Sequence, residues 1–187
     1  MPLVFGASSD SSNLDIPTSL LFNRGHDNKL TFTPSSAGAT AERQKFTVSC
    51  WVKRCNLGDA AVQYIWEMGG ADAATTRFFC RFDANDNLNI NDSGTAFRIT
   101  NRRFRDVSAW YHIVVAVDTT QGTAGDRIKL YVNGVQETSF GTSNDPSQND
   151  QKGFSHNSIH TIGRSSVDDT LSFDGYMANF DAVGGAQ

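Results

Sequence analysis

The sequence predicts an all-β protein, a single antiparallel two-sheet jelly-roll sandwich, and three observations predict it. Charged residues make up only 19% of the chain, while 16 glycines accompany many Ser, Thr, Asn and Asp residues, so turn chemistry outweighs helical surface chemistry. Glu occurs only at Glu42, Glu67 and Glu137; the rest of the 20 carboxylates are Asp, which is disfavoured inside helices. About a dozen short β-like runs are separated by turn signals every ten residues or so, the spacing of a sandwich or jelly roll.

Taken in order, residues 1–17 are Ser-rich, end at a proline and offer only Leu3, Val4, Phe5, Leu14 and Ile16 as large apolar side chains besides Met1. They read as an N-terminal arm ahead of one domain over residues 18–187. The runs SLLFN, KLTFTP, KFTVSCWVKR, AVQYIWEMG, RFFCRFD, NLNIND, AFRIT, WYHIVVAVD, RIKLYVNG, VQETSF, HTIGR and FDGYMANFD follow as strand candidates. Ile128, Leu130 and Val132 alternate with Lys129 and Tyr131 before Asn133-Gly134, and Asn-Gly supplies the two positive-φ residues of a type I′ hairpin turn. A second hairpin is expected at residues 85–87. In WYHIVVAVD, Trp110, Val114 and Ala116 lie on one face and Tyr111, Ile113, Val115 and Val117 on the other. A strand apolar on both sides belongs to a sheet covered on both sides, by a loop or a second subunit.

A chain of 187 residues can bury a core without disulfides or metal. A net charge of −4 argues against a nucleic-acid surface. The longest apolar run, residues 113–117, falls far short of the roughly 18 residues of a membrane helix, and no basic-flanked apolar leader is visible. Cys50, Cys55 and Cys80 cannot make a complete disulfide framework and read as reduced thiols. Cys50 and Cys55 lack a second pair with which to finish a zinc site.

Three segments carry a family resemblance: FTVSCWVK at residues 46–53, WYHIVVAVDTTQGTAGDRIKLYVNG at residues 110–134, and Ile162-Gly163-Arg164 followed by FDGYMANF at residues 173–180. In this order they resemble the laminin G-like branch of the concanavalin A-like lectin/glucanase superfamily. The opening SLLFNRGHDNKLTFTPSS and the DTT after the central strand are similar to the version found in structural and tail-fibre proteins of tailed bacteriophages. The resemblance implies two curved antiparallel sheets with the first and last strands side by side, bringing residues 20–22 near residues 176–180. Phage-type relatives often continue beyond the point where this chain stops, so a longer parent protein is left open.

Sugar-cleaving members of the superfamily set two Glu around an Asp on one strand, because glycoside hydrolysis needs an acid and a nucleophile at fixed separation. No such motif occurs here, and no G-x-S-x-G elbow or triad motif frames His26, His112, His156 or His160. No enzyme activity and no cofactor are therefore expected. The stretch from Asp83 begins like a calcium loop, but Leu88 and Gly94 stand where Gly and a bidentate Glu are needed. The resemblance still implies room for one calcium ion at a rim, with Asp118, Asp126, Asp168 or Asp169 as ligands by analogy. Arg98, Arg102, Arg103 and Arg105, with Phe97 and Phe104 between them, form a candidate docking patch for an acidic surface or sugar acids; the competing reading is a solvated edge paired with local Asp, including Asp106. Tyr64, Trp66 and Tyr131 are candidates for stacking on a sugar ring.

The expected function is a non-enzymatic component of a bacteriophage virion, a capsid decoration, head-fibre or tail-fibre protein assembled in the host cytoplasm. Its partners would be other virion proteins and further copies of itself, commonly in a trimer, with Leu3, Val4 and Phe5 as anchoring residues. The alternative is a carbohydrate-binding adhesion module for host or environmental polysaccharide.

Overall fold

The computed structural model describes residues 18–26, 28–57, 62–69, 77–168 and 170–185. Leu3, Val4, Phe5 and Asp169 lie outside these residues. The strands are β1 (Leu20–Phe22), β2 (Leu30–Phe32), β3 (Lys45–Arg54), β4 (Gln63–Met68), β5 (Phe78–Phe82), β6 (Asn87–Asp92), β7 (Thr95–Arg103), β8 (Tyr111–Asp118), β9 (Ile128–Val132), β10 (Val135–Gln136), β11 (Phe140–Ser143), β12 (His160–Ile162) and β13 (Gly175–Gly184). One five-residue helix, α1 (Thr40–Gln44), leads directly into β3.

Two sheets result. The six-stranded sheet runs β1-β13-β3-β8-β9-β10 and the seven-stranded sheet β11-β7-β6-β5-β4-β12-β2, with every strand pair antiparallel. The two-sheet all-β sandwich expected from the sequence is thus the observed fold. The first and last strands pair as the resemblance implies, with Leu20 opposite Met177 and Phe22 opposite Gly175. Asn133 and Gly134 take φ values of 53° and 78° in the hairpin between Val132 and Val135. The run VQETSF divides into β10, which stays in the six-stranded sheet, and β11, which crosses to the other.

Alternation builds the core, because successive side chains in a strand point to opposite faces. On β3, Phe46, Val48, Cys50, Val52 and Arg54 face inward at no more than 1% exposure, while their neighbours are half-buried. They meet Ile113, Val115 and Val117 of β8 and, from the facing sheet, Phe78, Cys80 and Phe82 of β5 and Leu88 and Ile90 of β6. Phe46 packs edge-on against Phe78, ring centroids 5.6 Å apart, the arrangement that ring quadrupoles favour.

The second faces of the sheets differ. On the six-stranded sheet Trp51, His112, Val114 and Tyr131 are half-buried, and Trp51 stacks on His112 at 4.7 Å. The two-sided apolar pattern of β8 is therefore met partly by contacts within its own face. In the seven-stranded sheet it is the strand β4 that is buried on both sides, at all six of its residues.

Candidate functional site

The outer face of the seven-stranded sheet is set by the strands β5 and β6. In FFCRF, Phe78, Cys80 and Phe82 point into the core, which leaves Phe79 and Arg81 for the other side. In NLNIND, Leu88 and Ile90 point inward and Asn87, Asn89 and Asn91 outward. Strand register then draws one row across the sheet, Tyr64 opposite Arg81, Arg81 opposite Asn89 and Asn89 opposite Ile99. A second row runs Thr161, Glu67, Phe79, Asn91 and Ala96. Aromatic, amide and guanidinium groups thus lie side by side.

The hydrogen bonds of this face are uneven. Glu67, fully buried, accepts from Arg77 Nε and Nη2 at 3.1 and 2.8 Å, from Ser165 Oγ at 3.3 Å and from Ser166 Oγ. Arg77 and Arg81 lie over Phe79 at 5.3 and 5.1 Å from the ring centre, and Arg81 also covers Tyr64 at 5.4 Å. Arg81 Nη1 donates to Tyr64 Oη at 3.0 Å. Yet Arg81 Nε and Asn89 Oδ1 are buried with no partner, and Asn89 is only 4% exposed.

The four arginines of the expected docking patch do not act together. Ile90 pairs with Arg98 just before a register shift in β6–β7, so Arg98 shares the inner face and is 3% exposed. It donates to Asp145 Oδ1 at 2.5 Å, to Ile128 O of the facing sheet at 3.3 Å and to Asn144 O. Arg105 binds Asp86 at 2.7 Å, and Asp106 instead caps Ser108 N at 2.8 Å. Arg102 lies over Phe104 at 5.0 Å, and only Arg102 and Arg103 remain exposed without an ion pair among the described residues. Phe97 and Phe104 are core residues.

The stacking candidates need a similar correction. Trp66 is 1% exposed and part of the core, Tyr64 is 3% exposed beneath Arg81, and Tyr131 alone is half-exposed. His160 packs edge-on against Phe32 and accepts a bond from Gly69 N at 3.3 Å; His156 pairs with Ser158 at 3.0 Å. Asp118 is occupied by Lys45, Thr120 and Gln121, Asp126 by Lys129 at 3.3 Å, and Asp168 by Thr170 at 2.9 and 2.7 Å. Among the described residues no three His, Cys, Asp or Glu side chains are grouped to hold a metal ion. The residues that sequence reasoning missed are Phe79, Arg81, Asn89 and Asn91, and the alternating Asn of NLNIND was the signal that could have found them.

No curated protein sequence matches the chain. Among solved structures, the mouse laminin α1 chain domains LG4-5 are similar over 89% of this chain and 42% of that one, with 10% identity and a TM-score of 0.59. The CBM40 of the Ruminococcus gnavus IT-sialidase is similar over 83% of this chain and 91% of that one, with 10% identity and a TM-score of 0.52. A heptameric SAP-like pentraxin from Limulus polyphemus is similar over 82% and 68%, with 14% identity and a TM-score of 0.52. At these identities the likeness is one of fold. The family model for the laminin G-like concanavalin A-like lectin/glucanases superfamily matches residues 24–186, and the chain belongs to that family.

Proposed function

We propose that the chain is a non-enzymatic carbohydrate-binding module whose ligand lies on the outer face of the seven-stranded sheet. The observation that carries this reading is the row Tyr64, Arg81 and Asn89, in which an aromatic ring, a half-buried guanidinium and an amide lie side by side on neighbouring strands, the side-chain types that stack on and hydrogen-bond to sugars. The fold shared with a sialidase carbohydrate-binding module supports it. The carboxylates support it too: hydrolysis needs two of them flanking the bond, and Glu67, the carboxylate in the middle of this face, is sealed beneath Arg77, Ser165 and Ser166. A glycan array tests the reading. Saturable binding to at least one polysaccharide, competed by the free saccharide, is expected; no binding across a broad array overturns it.

A second reading makes the chain a building block of a phage virion, located on the capsid or a fibre and assembled as a homo-oligomer. One surface favours it. Leu20, Leu21, Leu30 and Phe32 are 54, 53, 47 and 66% exposed along the edge strands β1 and β2. Beside them opens an apolar groove of about 310 Å3 lined by Leu30, Phe32, Met68, Phe154, Ile162 and Phe180. An apolar seam on two free strand edges is the kind of surface that association covers. Native mass spectrometry at micromolar concentration tests it, with a discrete oligomer expected and a monomer contrary to it.

A further inference from the structure

The last strand is longer than the partner on its open side. β13 pairs with β3 over Gly175–Gly184, whereas β1 covers only residues 175–177. Along residues 181–184 the second edge of β13 has no strand among the described residues, and Val183 is 52% exposed. Antiparallel pairing directs the main-chain groups of alternate residues to opposite edges. Gly185 N donates to Lys45 O at the start of β3, so Val183 also faces β3, and Ala182 and Gly184 turn N–H and C=O to the open edge. Such an edge is a template for a further strand. It borders the apolar groove, which Phe180 and Ala182 help to line.

The strand register says which segment of the chain can fill it. Leu20 stands opposite Met177. Beyond Ala178 the pairing of β13 with β3 shifts by one, so that Asn179 and Phe180 together face Cys50, and Asn179 takes a φ of 47°; β13 is bulged there. Carried to the other edge, the bulge sets Thr18 opposite Phe180, and these two residues do line one groove together. The same register would set Ile16 opposite Ala182 and Leu14 opposite Gly184, whose missing Cβ points at Phe154 of the apolar groove. Leu14, Ile16, Thr18, Leu20 and Phe22 share one parity, hence one face of a strand. Pro17 would fall opposite Asp181, where the strand N–H is directed away from β13, the place an edge strand tolerates proline.

From this we infer that residues 13–16 continue β1 along the open edge of β13, with Leu14 and Ile16 roofing the apolar groove. The occupant is this chain's own segment, which meets Thr18 beside the groove and needs no loop to reach it. The inference stands apart from the carbohydrate-binding reading, whose face belongs to the other sheet. It divides the N-terminal arm, assigning residues 13–17 to the domain and leaving Leu3, Val4 and Phe5 for a partner. β2, paired only with β12, keeps a free edge for self-association.

Amide hydrogen exchange read by NMR on the full chain tests it, comparing the parent with Ile16→Asp and with Leu3→Asp, a control of equal charge. Ala182 and Gly184 are expected to exchange about tenfold faster in Ile16→Asp than in the parent or the control, while Val183, facing β3, changes little. Open-chain exchange rates at Ala182 and Gly184 in the parent, or protection untouched by Ile16→Asp, overturn the inference. Protection that fades on dilution also overturns it, because the segment then comes from a second copy. Paired cysteines check the register in a Cys55→Ser background. Asp15→Cys with Val183→Cys puts two thiols on facing residues about 4.5 Å apart at Cα, within disulfide reach, and should close a bond within one chain; Asp15→Cys with Asp181→Cys should not. No bond in the first pair, or a bond only between chains, overturns the pairing.

Discussion

Arg54 and Asp86 are joined by a 2.9 Å ion pair at one end of the sandwich, where the Arg54 side chain is 1% exposed and that of Asp86 is 10% exposed. The strand alternation of β3 brings the guanidinium to the inner face in line with Phe46, Val48, Cys50 and Val52. There it also donates to Phe104 O at 2.8 Å and lies over the Phe82 ring at 4.5 Å. Burial pushes the Asp86 carboxyl upward, but hydrogen bonds from Arg105 and Arg54 outweigh it and hold the group below the usual carboxylate range.

The two arginines on Asp86 should therefore differ sharply when removed. Arg54→Ala removes the buried partner of Asp86, leaving it the exposed Arg105 alone, and unpairs the Phe104 carbonyl, and should cost about 3 kcal/mol. The Arg105 side chain is 55% exposed, so Arg105→Ala should cost about 0–1 kcal/mol. Urea denaturation of the two variants measures the difference, and equal losses would contradict this account of the pair.

Acid should act in part through Asp118. Burial raises its carboxyl, but hydrogen bonds from Thr120, Gln121 and Lys45 prevail and bring it down to about 2. Because this folded value lies below the unfolded one of about 3.9, the group contributes stability above about pH 4, and that contribution is lost as pH falls through about 2. Asp118→Asn should lower stability at pH 7 by about 2 kcal/mol and flatten the acid limb between about pH 4 and pH 2. Unfolding free energies across that window, parent against variant, provide the check; parallel curves would place the acid sensitivity elsewhere.

The thiols should titrate in two classes. Cys50 and Cys80 are fully buried; burial pushes Cys50 up to about 12 and Cys80 well above the ordinary thiol value, with the neighbouring Cys50 adding to it. Cys55 is exposed, one residue past the end of β3. The thiolate is the reactive form, so a disulfide-exchange reagent should count one thiol in the native chain and all three after denaturation. Rapid reaction of two or more native thiols would show that the core between β3 and β5 opens readily.

Much of the fold was legible because it depends on local patterns. Short β-like runs between turn signals marked the strands, alternation marked β9, and Asn133-Gly134 fixed a hairpin. Arg98 was misplaced because a single register shift after Ile90 reverses which side a residue faces, and composition within eight residues cannot reveal a bulge. At the candidate site the outward Asn residues of β6 were readable. The lack of an ion pair at Arg81 among the described residues was not, since it depends on which carboxylates the folded chain brings near and which it commits elsewhere.

The close approach of Gly163 to Phe22 provides a last prediction. Gly163 has φ +86°, and a Cβ built there would lie 2.2 Å from Phe22 Cδ1. Its amide donates to Ile65 O and its carbonyl accepts from Phe173 N, both at 2.8 Å, so the backbone cannot swing aside without losing its hold on β4. Phe22 packs edge-on against Phe173 with centroids 6.3 Å apart and anchors β1. Gly134 also has a positive φ, 78°, but nothing lies within 4 Å of its would-be Cβ. Gly134→Ala should therefore cost only the backbone term, about 1 kcal/mol, whereas Gly163→Ala adds overpacking and should cost about 2–4 kcal/mol. Hydrogen exchange should also rise at β1 in the second variant alone. Equal stability losses, or unchanged exchange at β1, would mean that Phe22 yields without disturbing the strand it anchors.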